Sequence, residues 1–147
     1  MRSSRTFEQA TITDEFAQQL LDAAIAQAES MGQQSVVAIV DVGGELKSFR
    51  RMDGAPKLSV QIAQDKAYTA IAFGMPTHTW HDFIKGDPPL LDGIVHTPRL
   101  IIFGGGYPIT VDGRVIGGIG VSGGHYTDDM KIAEAALEIV GDGSSTM

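Results

Sequence analysis

The stretch DKAYTA, residues 65–70, sets a lysine inside an alanine-rich segment. Its neighbours one and two turns away include Ile62, Ala63, Ala70 and Phe73, so a helix here would carry Lys66 on its apolar face. A lysine so placed either snorkels its ammonium to the edge or turns it into a pocket. In a pocket the amine could bind a carboxylate, form a Schiff base or serve as a base. Tyr68 and Thr69 stand beside it as donors, although Tyr68 has the alternative of a core ring with a bonded hydroxyl. His125 follows Ser122-Gly123-Gly124 and precedes the last helical segment. There an imidazole could face a pocket as acid or base near neutral pH, or simply face solvent. Lys66, Tyr68 and His125 are therefore the catalytic candidates.

His78 and His81 are three residues apart in THTWHDFI and share a face if that segment is helical. Such a pair suits a metal or a haem iron, but two ligands are not a site, and no Asp, Glu or third His has diagnostic spacing. No metal centre is expected, and surface or interface histidines are the alternative. Trp80 and Phe83 could line a flat apolar ligand or pack on a partner subunit. Arg51, in RRMDGAP, suits bidentate capture of a carboxylate or haem propionate; a salt bridge with Asp53 is an equally good reading.

Glycine is the third source of chemistry. In VIGGIGVSGGHYTD, residues 115–128, Gly118, Gly120 and Gly123 fall at G-x-G-x-x-G spacing. A dinucleotide fingerprint needs that turn to open a βαβ unit, with an acidic residue about 20 positions on. Here that position is Gly143, and strands joined as a hairpin precede the motif. Neither this stretch nor Gly104-Gly105-Gly106 is followed by Gly-Lys-Ser/Thr, which excludes a Walker loop. Two uses remain open. The glycines let a helix or neighbouring subunit pack tightly on a sheet, or they form a pocket floor offering backbone donors to an anionic ligand. On the second view Gly104, Gly105 and Gly106 are cofactor-binding candidates.

The elements that must position these residues are well punctuated. From Thr13, apolar residues recur at Phe16, Leu20, Ala24 and Ala28, which predicts a helix capped by Thr13 and stopped by Gly32. VVAIVDV, residues 36–42, reads as a buried strand, and Gly43-Gly44 turn it into ELKSFRR as a hairpin. A helix over residues 58–73, a short helix over 77–84 and a proline-bearing loop over 85–99 follow. LIIF, YPITV and RVIGGIGV predict three strands, the last two joined by an Asp112-Gly113 type I′ turn. The last helix takes Thr127 as its cap, with Asp128 and Asp129 in the first turn. Strands joined by tight turns are antiparallel, so the order predicts an α+β fold: a five-stranded, mainly antiparallel sheet with flanking helices.

At 147 residues the chain has the length of one domain, expected over 13–140, with an arm at 1–12 and a flexible tail at 141–147. Eleven basic residues against 18 acidic ones, a net charge of −7, disfavour nucleic acid as a partner. The absence of cysteine excludes disulfides and thiolate chemistry. No apolar run reaches the roughly 18 residues of a membrane span, and residues 1–16 lack a secretory apolar core. A cytoplasmic protein with no membrane partner is expected.

Three ordered blocks, VVAIVDVGGELKSFRRMDGAP, DKAYTAIAFGMPT and RLIIFGGGYPITVDGRVIGGIGVSGG, resemble the GlcG/HbpS family of haem-binding or haem-degrading domains, also found at the end of PduO proteins. The resemblance covers about residues 13–140. It implies a profilin-like or roadblock-like layered fold and a homo-oligomer of up to eight subunits. It also implies a small-ligand-binding protein, for haem or a related tetrapyrrole, with haem degradation as an added activity. The Lys-Ala-Tyr-Thr run recurs in the family, which favours the pocket for Lys66. On this reading Arg51 or Lys66 holds propionates, Thr69 and the backbone of Gly104–Gly106 contribute donors, and a histidine such as His81 ligates iron. GIVHTPRL and THTWHDF depart from the family's usual pattern, and each departure brings histidine. The alternative is a cofactor-free catabolic enzyme, an isomerase, lyase or hydrolase, using Lys66 and His125 on a small carboxylated or aromatic-derived metabolite. An oligomeric scaffold is the third possibility.

Overall fold

The computed structural model describes residues 4–141. Thr13 has extended backbone and its Oγ1 accepts from Phe16 N at 3.1 Å, which starts α1 (Asp14–Met31). Gly32, at φ 72°, ends it by turning its N–H back onto the Ala28 and Glu29 carbonyls. The hairpin β1 (Val36–Asp41) and β2 (Leu46–Arg51) leads to α2 (Ser59–Phe73). A 3₁₀ turn over 77–79 runs into α3 (Trp80–Ile84), and α4 (Pro88–Gly93) follows. The chain closes with β3 (Gly106–Val111), β4 (Arg114–Ser122) and α5 (Tyr126–Gly141).

The strands form one antiparallel sheet in the order β2-β1-β4-β3. Both faces are covered, which is why β1 is apolar at successive positions rather than alternating. Val37 and Ile39 join Ile119 and Val121 against α1 and α5, in a core with Leu20, Ile25, Ile132 and Ala136. Val36, Ala38 and Val40 face Ala63 and Ala67 of α2. Asp112 and Gly113, at φ 53° and 77°, make the tight turn expected between β3 and β4.

The glycines of β4 are explained by α2. A Cβ on Gly120 would overlap the Ala63 carbonyl oxygen and lie 2.6 Å from Ala67 N. Close helix-on-sheet packing therefore accounts for the glycine at that position, as the first of the two readings held.

Among the described residues the sheet has four strands, not five. Residues 100–103, LIIF, form no strand because their backbone is bonded to a helix side chain: Thr69 Oγ1 accepts from Ile101 N at 3.0 Å and donates to the Arg99 carbonyl at 2.8 Å. Arg99 itself sits at φ 67°, which breaks an extended path. The stretch expected to be loop holds α4, started by Asp87, whose Oδ1 accepts from Leu90 N, with prolines in the first two helical positions where no N–H is needed. Helix α5 begins one residue before Thr127, so Thr127 is not its cap. His125 takes that place: its Nδ1 accepts from Thr127 N at 3.2 Å and its carbonyl from Asp128 and Asp129. Within residues 1–12, Ile12 is buried and its N–H donates to the Ile116 carbonyl. Of the expected tail, only Gly141 falls among the described residues. No described helix is long and apolar enough to cross a membrane.

Candidate functional site

Lys66 lies on the face of α2 turned to the sheet, with Ala63, Ala67 and Ala70, and is fully buried. Its stem carries Nζ to the end of the sheet where β4 leaves and β3 enters. There Nζ donates to the Val121 carbonyl at 2.8 Å and to Asp129 Oδ2 at 3.0 Å. Asp129 is equally buried, and its Oδ1 accepts from Gln33 Nε2 at 2.9 Å and from Gly124 N at 3.2 Å. Burial holds the Lys66 amine below the ordinary lysine range, against the opposing pull of the Asp129 carboxylate. The Phe103 ring lies 5.2 Å from Nζ. Gly105, at φ 124°, leaves room for the amine, since a Cβ there would stand 2.7 Å from it. The pair forms part of a cavity of about 320 Å³, also lined by Leu58, Ser59, Ile62, Ser122 and His125.

A second cleft, of about 460 Å³, adjoins the first across Phe103 and Tyr126, whose rings are 6.3 Å apart. His78, His81, Asp82, Ile102 and Gly104 line the rest. The two histidines thus do share a face. His78 Nδ1 is buried without a hydrogen-bond partner, and its ring lies 5.5 Å from that of Tyr107. The Tyr107 hydroxyl donates to Glu134, and burial first, then that bond, pushes its pKa well above the ordinary tyrosine value. Among the described residues no three His, Asp or Glu side chains are grouped to hold a bare metal ion.

The other expected site residues divide. His125 joins Lys66 on one cavity, and His81 joins Gly104 on the other. Gly106 packs against the Lys66 carbonyl, and Thr69 spends its hydroxyl on the 99–101 backbone. Tyr68 lies under the Arg99 guanidinium at 4.1 Å and lines neither cleft. Arg51 lines a separate groove with Leu58 and Val60. Asp129, Phe103 and Tyr126 were not singled out from the sequence as site residues. For Asp129 a signal existed: it stands at helical spacing with Ile132, Ala133 and Ala136, all on the buried face of α5.

Fold and site together define a layered α+β domain with an antiparallel sheet, one end of which carries a buried lysine–aspartate pair beside a two-histidine cleft. Residues 12–138 match the family described as haem-degrading protein HbpS-like, and the chain belongs to that family. It is 38% identical over 130 residues to an uncharacterised 15.0 kDa protein in the dhaT-dhaS intergenic region of Citrobacter freundii, covering 88% of this chain and 92% of that one. The crystal structure of Klebsiella pneumoniae protein ORFY superposes with a TM-score of 0.87 at 31% identity, covering 99% of this chain and 100% of that one. That of PduOC in complex with haem gives 0.81 at 35% identity, with coverages of 88% and 94%.

Proposed function

We propose that the protein binds haem or a related tetrapyrrole in the cleft formed by His78, His81, Ile102, Phe103 and Tyr126. One observation carries this: a buried imidazole nitrogen of His78 without a partner, on a cleft that a second imidazole also lines. Leaving such a group unsatisfied costs about 1–3 kcal/mol, which a ligand offering a coordination bond removes. The haem complex of a relative supports the same ligand class.

The residues fit the group. Neutral imidazole is a haem-iron ligand, and Ile102 and Phe103 offer apolar surface to a flat macrocycle. Bound haem would supply redox-active iron. On this chain, His78 and His81 would hold it, while Tyr107, anchored by Glu134, steadies the His78 ring from behind. Phe103, Ile102 and Tyr126 keep water off the cleft wall. Self-association is supported by Phe73 and Phe83, each more than half exposed and 6.1 Å apart, which leave an aromatic patch to be covered.

The test is a titration of the purified protein with haemin, followed at the Soret band. A saturable shift at one haem per chain is expected. His78→Ala and His81→Ala should each weaken binding by at least about 10–100-fold, since losing even a partner behind a metal ligand costs that much. His125→Ala should not, because His125 lies outside that cleft. A non-saturating rise, or an unchanged isotherm in the double histidine variant, overturns the proposal. Progressive loss of the band under a reductant would add haem degradation.

A further inference from the structure

The lysine cavity holds chemistry that haem binding does not use. An ammonium has three donors, and Lys66 spends two inside the protein, on the Val121 carbonyl and Asp129. Because Asp129 balances it, the pair offers no net charge with which to capture an anion or a cation. The walls add Leu58, Ile62 and Phe103 as apolar surface and Ser59 and Ser122 as hydroxyls. A small neutral molecule with an electrophilic carbon and an acceptor oxygen matches that lining.

We propose that this cavity is a second ligand site, for a small neutral aldehyde or ketone, and that Lys66 joins the carbonyl carbon as an imine. The ammonium first passes a proton to Asp129 Oδ2, along their existing hydrogen bond. The freed nitrogen lone pair forms the C–N bond, and the carbonyl oxygen takes the proton from Asp129, giving a carbinolamine. A second nitrogen proton reaches that hydroxyl through Asp129, the C–O bond breaks and water leaves. The product is a protonated imine whose charge Asp129 still balances, so aldehyde plus ammonium have become iminium plus water. Burial, which lowers the Lys66 pKa, favours the free amine that begins this sequence.

The test uses the native protein and one variant. Each is incubated at neutral pH with butanal and sodium cyanoborohydride, and the butylated lysines are mapped by peptide mass spectrometry. Lys47, Lys57, Lys85 and Lys131 are exposed and serve as internal references. Each unit by which a lysine pKa falls gives about tenfold more free amine at neutral pH. Lys66 should therefore be labelled faster than the references. Labelling should be faster still in Phe103→Ala, which removes the ring beside Nζ. Butylation of the exposed lysines with Lys66 untouched in both proteins overturns the proposal. The haemin titration reads the other cleft, so failure here leaves that reading standing.

Discussion

The Lys66–Asp129 pair makes a quantitative prediction about stability. Lys66→Met keeps the length of the stem but strips Asp129 Oδ2 of its donor, while Oδ1 retains Gln33 and Gly124. Removing one partner of a buried pair costs about 3–5 kcal/mol, and the retained bonds put this variant near the lower end. Asp129→Leu leaves a buried ammonium with only the Val121 carbonyl. Lysine can escape by shedding its proton, and moving from its ordinary pKa to pH 7 caps the loss at about 4–5 kcal/mol. Asp129→Leu should thus be the costlier change. The double variant, Lys66→Met with Asp129→Leu, removes both charges and should lose much less than the two single losses added, its remaining cost being the Gln33 and Gly124 donors left without Asp129. Urea unfolding followed by far-UV circular dichroism measures all four proteins. Single losses below about 1 kcal/mol, or a double variant as unstable as the two losses added, would refute the reasoning. A pH series gives a second reading. Burial lowers the folded pKa of Lys66, so between that value and the ordinary lysine value the unfolded chain binds more protons. Wild-type stability should therefore gain from this residue as pH rises through the window, and Lys66→Met should lack the gain.

Gly120→Ala places a methyl group into the Ala63 carbonyl and should cost about 1–3 kcal/mol in the same urea assay, as overpacking does; a variant of wild-type stability would show that α2 can move away. Burial and the Glu134 bond raise the Tyr107 pKa, so above about pH 10 the unfolded phenol ionises first and stability falls with rising pH. Tyr107→Phe should flatten that alkaline decline while losing about 1.5–3 kcal/mol at neutral pH, and an unchanged alkaline slope would contradict it. Thr69→Val leaves Ile101 N–H without its acceptor, and hydrogen exchange should speed up there before it does in β1 or β4.

The central fold was legible because its signals are periodic or local. An apolar stripe from Phe16 to Ala28 can only be a helix facing a core, and an Asp-Gly pair between two β-branched runs closes a hairpin. LIIF carried the composition of a strand, yet its fate was decided by one threonine about thirty residues earlier that captures its backbone. Composition cannot show such a bond, since it exists only after α2 has docked. The missed helix α4 is different in kind. An aspartate followed by two prolines is a helix-start pattern, and treating the prolines as loop residues overlooked that the first turn needs no N–H.

The site follows the same division. Lys66 could be found because its helical neighbours one and two turns away are apolar, and Asp129 obeys the identical rule on α5. Its place in the first turn suggested a dipole role instead, but Asp128, one residue before it, faces outward and pairs with Lys131. A charged residue at helical spacing with buried alanine and isoleucine is better read as half of a buried pair, and two such residues on different helices are candidates for each other. Tyr68 shows the converse error. Two residues along a helix is a turn of about 200°, so adjacency to Lys66 in sequence places Tyr68 on another side, under Arg99. Phe103 and Tyr126 lie on no periodic face at all: a loop and a helix start bring them together, and only the folded path sets them between the two clefts.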